Sequence, residues 1–386
     1  MIIAENPYIS EFLLKSAESL QVPMLETFAL KNCQSDNFNL NILKEEDSLN
    51  YLSKQENPLI YSNSESSFDW IYENLKNSDT IRFISLFKDK FKFRESVKSI
   101  YPDFYFEKIS YDKLFELDYS KLPSKFIIKP NVGFLSLGVH AVRSEDELKT
   151  ALEIIKNEIS ALYSEYSDSV VNLSDFIIEQ MIEGEEYAVD AYFTEKSEPV
   201  ILNIFNHPFF GEEDVSDRIY LTSVDIIKAN YDKVLSLLQK IAKKTGLKNF
   251  PIHIELRKEK DGRIIPIEIN PMRFAGWCTA DVANYAYNIN VYECFFKQIS
   301  PDWEKIFAQN DAAIYYFSMP EVPSSIDRKK IKSFNYDAFC KNYSEILELR
   351  KVDYKNNPVF AVIFGKTKNE KEIENILNLK TVDFIE

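Results

Sequence analysis

The stretch 251–271, PIHIELRKEKDGRIIPIEINP, has little local freedom. Ile252, Ile254 and Leu256 alternate with His253, Glu255 and Arg257, and Ile265, Ile267 and Ile269 alternate with Pro266, Glu268 and Asn270. A period of two marks a strand with one apolar and one polar face. Asp261-Gly262 between the runs predicts a hairpin with a type I′ turn, which needs positive φ at both central residues. With Lys260 paired to Arg263, Glu255 lies opposite Glu268 and His253 opposite Asn270. Two carboxylates facing across a ladder repel. Water can screen them, as on any wet hairpin, or a cation can sit between them. Mg²⁺ takes one or two carboxylates and leaves positions for substrate phosphates. An asparagine oxygen can complete that set.

Other features limit the partners. The 386 residues suffice for two to three domains, and a net charge of −15 argues against nucleic acid or an anionic membrane surface. No run approaches the length of a membrane span, and the opening MIIAENPYISEFLLKSAES lacks a basic stretch followed by a long apolar one. Cys33, Cys278, Cys294 and Cys340 show no paired spacing. A reduced, cytoplasmic setting without disulfides or zinc is expected.

Residues 1–85 alternate short apolar runs with helical patterns, which predicts a small α/β domain with a parallel sheet. KDKFKFRESVKSI (88–100) predicts a basic helix, and KFIIKP (125–130) and VHAVR (139–143) predict strands around the loop 131–138. Ser144 and Glu147 form a capping box ahead of a helix whose apolar face is Leu148, Leu152, Ile155, Ile159 and Leu162. Strands are expected over 175–182, 183–194 and 199–206, a long loop over 207–222, and a helix near 225–245. From 301 onward, AAIYYFSMP, YSEILELRK and PVFAVIFGKT predict strands of a small C-terminal α+β lobe.

Three constellations carry chemistry. Lys129 closes a strand ahead of a loop bracketed by Gly133 and Gly138, in a chain with only eight glycines. Loop N–H groups and Ser136 could cover a phosphate there. Glu179-Gln180-Met181-Ile182 ends a strand before a turn at Gly184 and a further carboxylate, Glu186. Chain leaving a sheet offers free backbone groups to a base edge, and a carboxylate can accept from ribose hydroxyls. Third is the Glu255, Glu268, Asn270 set, with Arg273 close behind. Alone, the first is more often an ordinary hairpin and the second an acidic surface turn, while the third divides evenly with a solvent-facing hairpin.

Together and in this order, FIIKPNVGFLSLGVHAV, FIIEQMIEGEEYAVDAY and PIHIELRKEKDGRIIPIEINPMRFAG resemble the ATP-grasp superfamily over about residues 85–300. The resemblance implies an α/β (α+β) ATP-grasp fold: a Rossmann-like N-terminal domain (1–85), two nucleotide-clamping lobes (86–180 and 181–300) and the C-terminal lobe (301–386). It implies ATP and Mg²⁺, with Mn²⁺ as a substitute. Lys129 then matches the strand lysine at the phosphates, and Lys90 or its rival Lys92 the earlier nucleotide lysine. Residues 131–138, with Gly133, Ser136 and Gly138, match the phosphate lid. Glu179, Gln180 and Ile182 match the adenine hinge and Glu186 the ribose carboxylate. Glu255, Glu268 and Asn270 match the metal ligands, and Arg273 the arginine at the transferred phosphoryl group. Two departures stand out: Phe134, Leu135 and Leu137 in the lid, and one extra residue between Asn-Pro and Arg273.

The implied reaction is ATP-dependent ligation of a small-molecule or amino-acid carboxylate to an amine, or to a thiol, through an acyl phosphate, releasing ADP and phosphate. Another ATP phosphotransferase and a non-catalytic ATP-binding module are the alternatives. Family habit adds a homodimer. Cys278 has no base beside it and reads as a packing residue, and His253 as a structural hydrogen-bonder. Arg218 is left open between a substrate carboxylate and solvent.

Overall fold

The computed structural model describes residues 1–33, 37–133, 138–162, 172–209, 218–309 and 312–386, with the side chains of 158–162 and 172–173 left aside. Three sheets organise the chain. The first is parallel and holds β1 (Ile2–Ile3), β2 (Met24–Leu25), β3 (Ile42–Leu43) and β4 (Tyr61–Ser62) in the order β3-β2-β1-β4. Its strands are only two residues each, and the parallel α/β character is as expected. The helix Glu11–Leu20 starts where Ser10 accepts from the Leu13 N–H and ends at Gln21 in the left-handed region.

The second sheet is antiparallel: β5 (Phe106–Ser110), β6 (Phe126–Val132), β7 (His140–Val142) and β8 (Asn172–Gln180), in the order β5-β8-β6-β7. The helix Glu145–Leu162 covers it, with Leu148, Ala151 and Ile155 packed among Phe126, Ile128, Val142, Phe176 and Ile178. The expected cap is present. Ser144 Oγ accepts from the Glu147 N–H, and the Glu147 carboxylate reaches back to the Arg143 N–H, one residue earlier than a standard box. The side chains of Ile159 and Leu162 lie outside the described residues.

The third sheet has eight antiparallel strands. They are β9 (Glu185–Phe193), β10 (Pro199–His207), β11 (Ile219–Thr222), β12 (Phe250–Lys258), β13 (Ile264–Pro271), β14 (Ile314–Ser318), β15 (Ile346–Lys351) and β16 (Ala361–Thr367). Their order is β13-β12-β9-β10-β11-β14-β16-β15. The strands after residue 301 therefore continue the sheet of the preceding segment, joined at the β11–β14 ladder from Ile219↔Ser318 to Thr222↔Tyr315. They carry a core of their own, including Tyr316, Phe339, Phe360 and Ile363. The long loop expected over 207–222 is shorter than that, because β11 occupies 219–222 and 210–217 lie outside the described residues.

The hairpin differs from expectation in two places that cancel. Its loop is three residues, Lys260-Asp261-Gly262, with the Glu259 N–H bonded to the Arg263 carbonyl and Gly262 at φ 82°. That is a type I turn closed by a left-handed glycine rather than a type I′ turn. Alone it would shift the pairing by one residue and break the face-to-face carboxylates. A bulge restores it: Leu256 pairs with Pro266, Ile267 is the extra residue, and Glu255 pairs with Glu268 and His253 with Asn270.

The basic stretch 88–100 is not one helix. Asp89 (φ −87°, ψ 100°) ends the helix Asp79–Lys88 and caps the helix Lys90–Val97, accepting from the Lys92 N–H. Gly184, between β8 and β9, sits at φ 115°, and a Cβ there would lie 2.1 Å from the Lys258 carbonyl oxygen. Gly184→Ala should cost about 2–4 kcal/mol, from the left-handed backbone plus the collision with main chain. Denaturant unfolding of the two proteins side by side measures it.

Candidate active site

The helix Lys90–Val97 buries Lys90, Phe93, Arg94 and Val97, the i, i+3, i+4, i+7 face of one helix. Lys90 and Arg94 thus point inward together, while Lys92 falls off that face. The Lys92 side chain is 61% exposed against 11% for Lys90, and it pairs with Asp89. Of the two candidate lysines, Lys90 is the one in the cleft.

Arg94 joins two sheets. Its Nε donates to Glu179 Oε2 at 2.7 Å, its Nη1 to the Pro266 carbonyl at 2.6 Å and its Nη2 to the Ile267 carbonyl at 3.3 Å. Those carbonyls belong to the bulge on β13. Lys129 on β6 meets the other oxygen of Glu179 at 2.5 Å. The Glu179 side chain therefore turns inward, between two cations, which leaves only its main chain for the hinge role that the sequence predicts. Burial works to raise its pKa, but Arg94 and Lys129 outweigh burial and hold it at about 2. Burial lowers the Lys129 ammonium, with Glu179 opposing.

Glu255 and Glu268 face each other across β12 and β13 on the sheet face that looks toward Lys90. Lys90 Nζ lies 3.6 Å from Glu268 Oε2. Burial works to raise the Glu268 carboxyl, and Lys90, Lys129, Lys88 and Arg273 together bring it below its ordinary value. Asn270 Nδ2 donates to Glu255 Oε1 at 3.0 Å, which leaves Asn270 Oδ1 as its available oxygen. Two carboxylates and an amide oxygen on one face are a donor set suited to a hard divalent cation. Among the described residues no group of three His, Cys, Asp or Glu side chains is gathered in a metal-holding arrangement.

Lys88 and Lys90 converge on one acceptor. Lys88 Nζ is 3.3 Å and Lys90 Nζ 3.2 Å from the Gly133 carbonyl, inside the predicted lid 131–138, whose first two residues belong to β6 instead. The break at Asp89 makes this possible by letting residues two apart point the same way. Glu65, from the short helical turn Glu65–Ser67, reaches in from the N-terminal segment to Lys88 at 2.5 Å. Its Oε1 lies 3.9 Å from Arg273 Nε. Gly138 is left-handed (φ 67°), packed on Pro130. Ser136 lies outside the described residues.

After Gln180 the chain leaves β8. The Gln180 and Met181 N–H groups bond to the carbonyls of Tyr105 and Lys125. The Ile182 carbonyl accepts from Arg257 Nη1 at 2.8 Å, and no hydrogen bond to the Ile182 N–H occurs among the described residues. Arg257 Nε also donates to Glu186 Oε2 at 3.0 Å, and His207 Nδ1 lies 3.2 Å from Glu186 Oε1. Both oxygens of Glu186 are thus engaged. His253 Nδ1 bonds to Asp190 Oδ1 at 2.9 Å. Cys278 is buried, and burial with Asp281 alongside pushes its thiol well up, so it stays protonated. Arg218 turns to the C-terminal helix Glu370–Leu377, 3.5 Å from the Leu377 carbonyl. It lines a cavity there with Val322, Tyr343 and Ile376 that holds none of the candidate site residues.

Arg94, Lys88, Glu65, Arg257 and Asp190 escaped the sequence reading. The i, i+4 spacing of Lys90 and Arg94 around Phe93 was a usable signal for one of them. The others become neighbours only through tertiary contacts.

The family model described as an ATP-grasp domain matches residues 122–281, which hold Lys129, Glu179, Glu255, Glu268 and Arg273. That segment of the chain is an ATP-grasp domain. No curated protein matches it by sequence. Among solved structures, this chain is similar to an L-amino acid ligase from Bacillus licheniformis, with a TM-score of 0.68, 15% identity and coverage of 100% of this chain and 97% of that one. Biotin carboxylase from Campylobacter jejuni gives 0.65 at 13%, covering 100% and 91%. N5-carboxyaminoimidazole synthetase from Staphylococcus aureus, complexed with ADP, gives 0.64 at 12%, covering 98% and 95%. At these identities the likeness is one of fold. No helix among the described residues is long and apolar enough to cross a membrane.

Glu179→Gln would leave Arg94 and Lys129 buried without their counter-charge, a loss of about 3 kcal/mol at neutral pH. The sign follows from the depressed pKa. The ionised carboxylate stabilises the fold above the ordinary value of 4.5, and that contribution disappears as pH falls toward about 2. The variant should therefore be less stable at pH 7 and lose less stability than the parent over that acid range, read from denaturant midpoints at several pH values.

Proposed function

We propose that this chain is an ATP-dependent ligase that joins a small-molecule or amino-acid carboxylate to an amine. The observation that carries the reading is Glu255 set directly opposite Glu268, with Asn270 and Lys90 beside them. Glu255, Glu268 and Asn270 Oδ1 would hold Mg²⁺, or Mn²⁺ in its place, which neutralises phosphate charge and orients the β- and γ-phosphates. Lys90 and Lys129 sit on the cleft side of that set and are suited to phosphate oxygens. The adenine edge would read the Gln180 carbonyl and the Ile182 N–H, with Arg257 fixing the turn between them and Glu186. Glu186 would accept from ribose hydroxyls while retaining Arg257.

The substrate carboxylate attacks the γ-phosphorus, the bond to the bridging oxygen breaks, and ADP leaves with that electron pair. An amine then attacks the acyl carbon of the mixed anhydride, phosphate departs, and the amine loses a proton to give an amide. No protein nucleophile is needed, which agrees with the protonated, enclosed Cys278. The work of the chain is placement and charge neutralisation, and Arg273 is the group suited to the charge on the phosphoryl group in transit.

A panel of amino-acid pairs and other small carboxylates with MgATP, scored for ADP, phosphate and amide by mass, tests this. ADP and phosphate in equal amounts with an amide are expected. A phosphorylated product without free phosphate would instead make it a phosphotransferase, and no turnover with any pair would favour a binding module. On an active pair, Glu268→Gln and Lys90→Ala should each lower kcat by about a hundredfold. Lys92→Ala should stay within about twofold, as for an exposed side chain outside the site.

A further inference from the structure

Asp190 lies mid-strand in β9 and is wholly enclosed, at 0% exposure. Its ladder partner is His253, on the same face as Glu255. An enclosed carboxylate is costly unless its hydrogen bonds are met. Here Oδ1 accepts from His253 Nδ1 at 2.9 Å and from the Ala275 N–H at 2.7 Å. Oδ2 has no hydrogen-bond partner among the described residues.

Ala275 belongs to the loop that carries Arg273. That loop is conformationally demanding: Met272, Trp277 and Cys278 all take positive φ, at 62°, 50° and 63°, without being glycine. Each such residue costs about 1 kcal/mol, so other contacts must hold the path. Three do. The Ser62 N–H bonds to the Met272 carbonyl at 2.9 Å. Phe274 is fully buried, its ring 5.3 Å from Tyr61 and 6.3 Å from Tyr292. Asp190 holds Ala275.

The guanidinium of Arg273 has weaker support of its own. Its Nη1 bonds at 3.2 Å to the carbonyl of the next residue, Phe274, and its Nε is 3.9 Å from Glu65. Nη1 also folds back to within 3.6 Å of where a Cβ on Gly276 would lie. The head group therefore goes where its own loop goes. We infer that Asp190 is the positioning residue for Arg273: through the Ala275 N–H it fixes the loop that aims the guanidinium at the transferring phosphoryl group. This rests on the reading of Arg273 given above.

The probes are MgADP alone and MgADP with aluminium fluoride, a mimic of the phosphoryl group in transit, each titrated calorimetrically into the intact protein. Neither needs the carboxylate substrate to be known. Asp190→Ala should bind MgADP within about twofold of the parent and the fluoride complex about tenfold more weakly or worse, the scale of a misplaced catalytic group. Asp190→Asn keeps an oxygen for the Ala275 N–H and should fall between; it carries the test if the alanine variant does not fold. In an Arg273→Ala background, replacing Asp190 should change the fluoride complex by less than about twofold, because the residue it acts through is gone.

A purely structural role would weaken both probes alike and persist in that background, and either result overturns the inference. So does coupling that vanishes with His253→Ala in place of Arg273→Ala. If Arg273→Ala alone leaves the fluoride complex unchanged, the assignment of Arg273 itself falls, an outcome distinct from additive losses in the double variant.

Discussion

The guanidinium of Arg94 ties together the parts of the site. One edge neutralises Glu179 on the second sheet, and the other takes two carbonyls freed by the bulge on the third sheet. A bulge leaves main-chain groups outside the ladder, and an arginine fork can answer two of them at once. Without the bulge Glu255 and Glu268 would not face each other. Without Arg94 the bulge carbonyls and Glu179 would lose a partner each needs. The carboxylate face of the hairpin and Lys129 are thus set by one enclosed network spanning three segments distant in sequence.

The helix break at Asp89 serves the same geometry from the other side. A continuous helix would point Lys88 and Lys90 about 200° apart around its axis. With the break, both ammonium groups reach the Gly133 carbonyl, and Lys90 also approaches Glu268. Oxygen atoms of the protein occupy the places where phosphate oxygens would be welcome. On the proposed function, the lysines would be held in position before a nucleotide arrives, which would limit the reorganisation that binding requires.

Much of this was legible in sequence, and unevenly so. The period-two runs of the hairpin give the Glu255–Glu268 pairing correctly, though by a route in which a longer loop and an unseen bulge offset each other. Alternation reports faces, so it survives such compensations, whereas turn type does not. The capping box at Ser144, the α/β character of the first segment and the strands after residue 301 were equally visible. What could not be read were partners fixed only by packing. Glu65 and Arg273 are far apart in the chain, and nothing local marks Glu65 as different from its acidic neighbours. Lys90 and Lys92 differ only by the helix face on which they fall, and that face became plain once Phe93 and Val97 were seen to be buried.

The eight-stranded sheet has a further consequence. β11 lies between β10 and β14, so its outer hydrogen bonds go to strands from the end of the chain. Trimming the polypeptide after residue 300 would bare a row of main-chain donors and acceptors on β11 and strip the cover from Ile219 and Leu221. An open strand edge of that kind is a template for sticking to another chain. The tail is therefore a structural requirement of the sheet that carries Glu255 and Glu268, and it could not be a detachable accessory unless that seam were sealed another way.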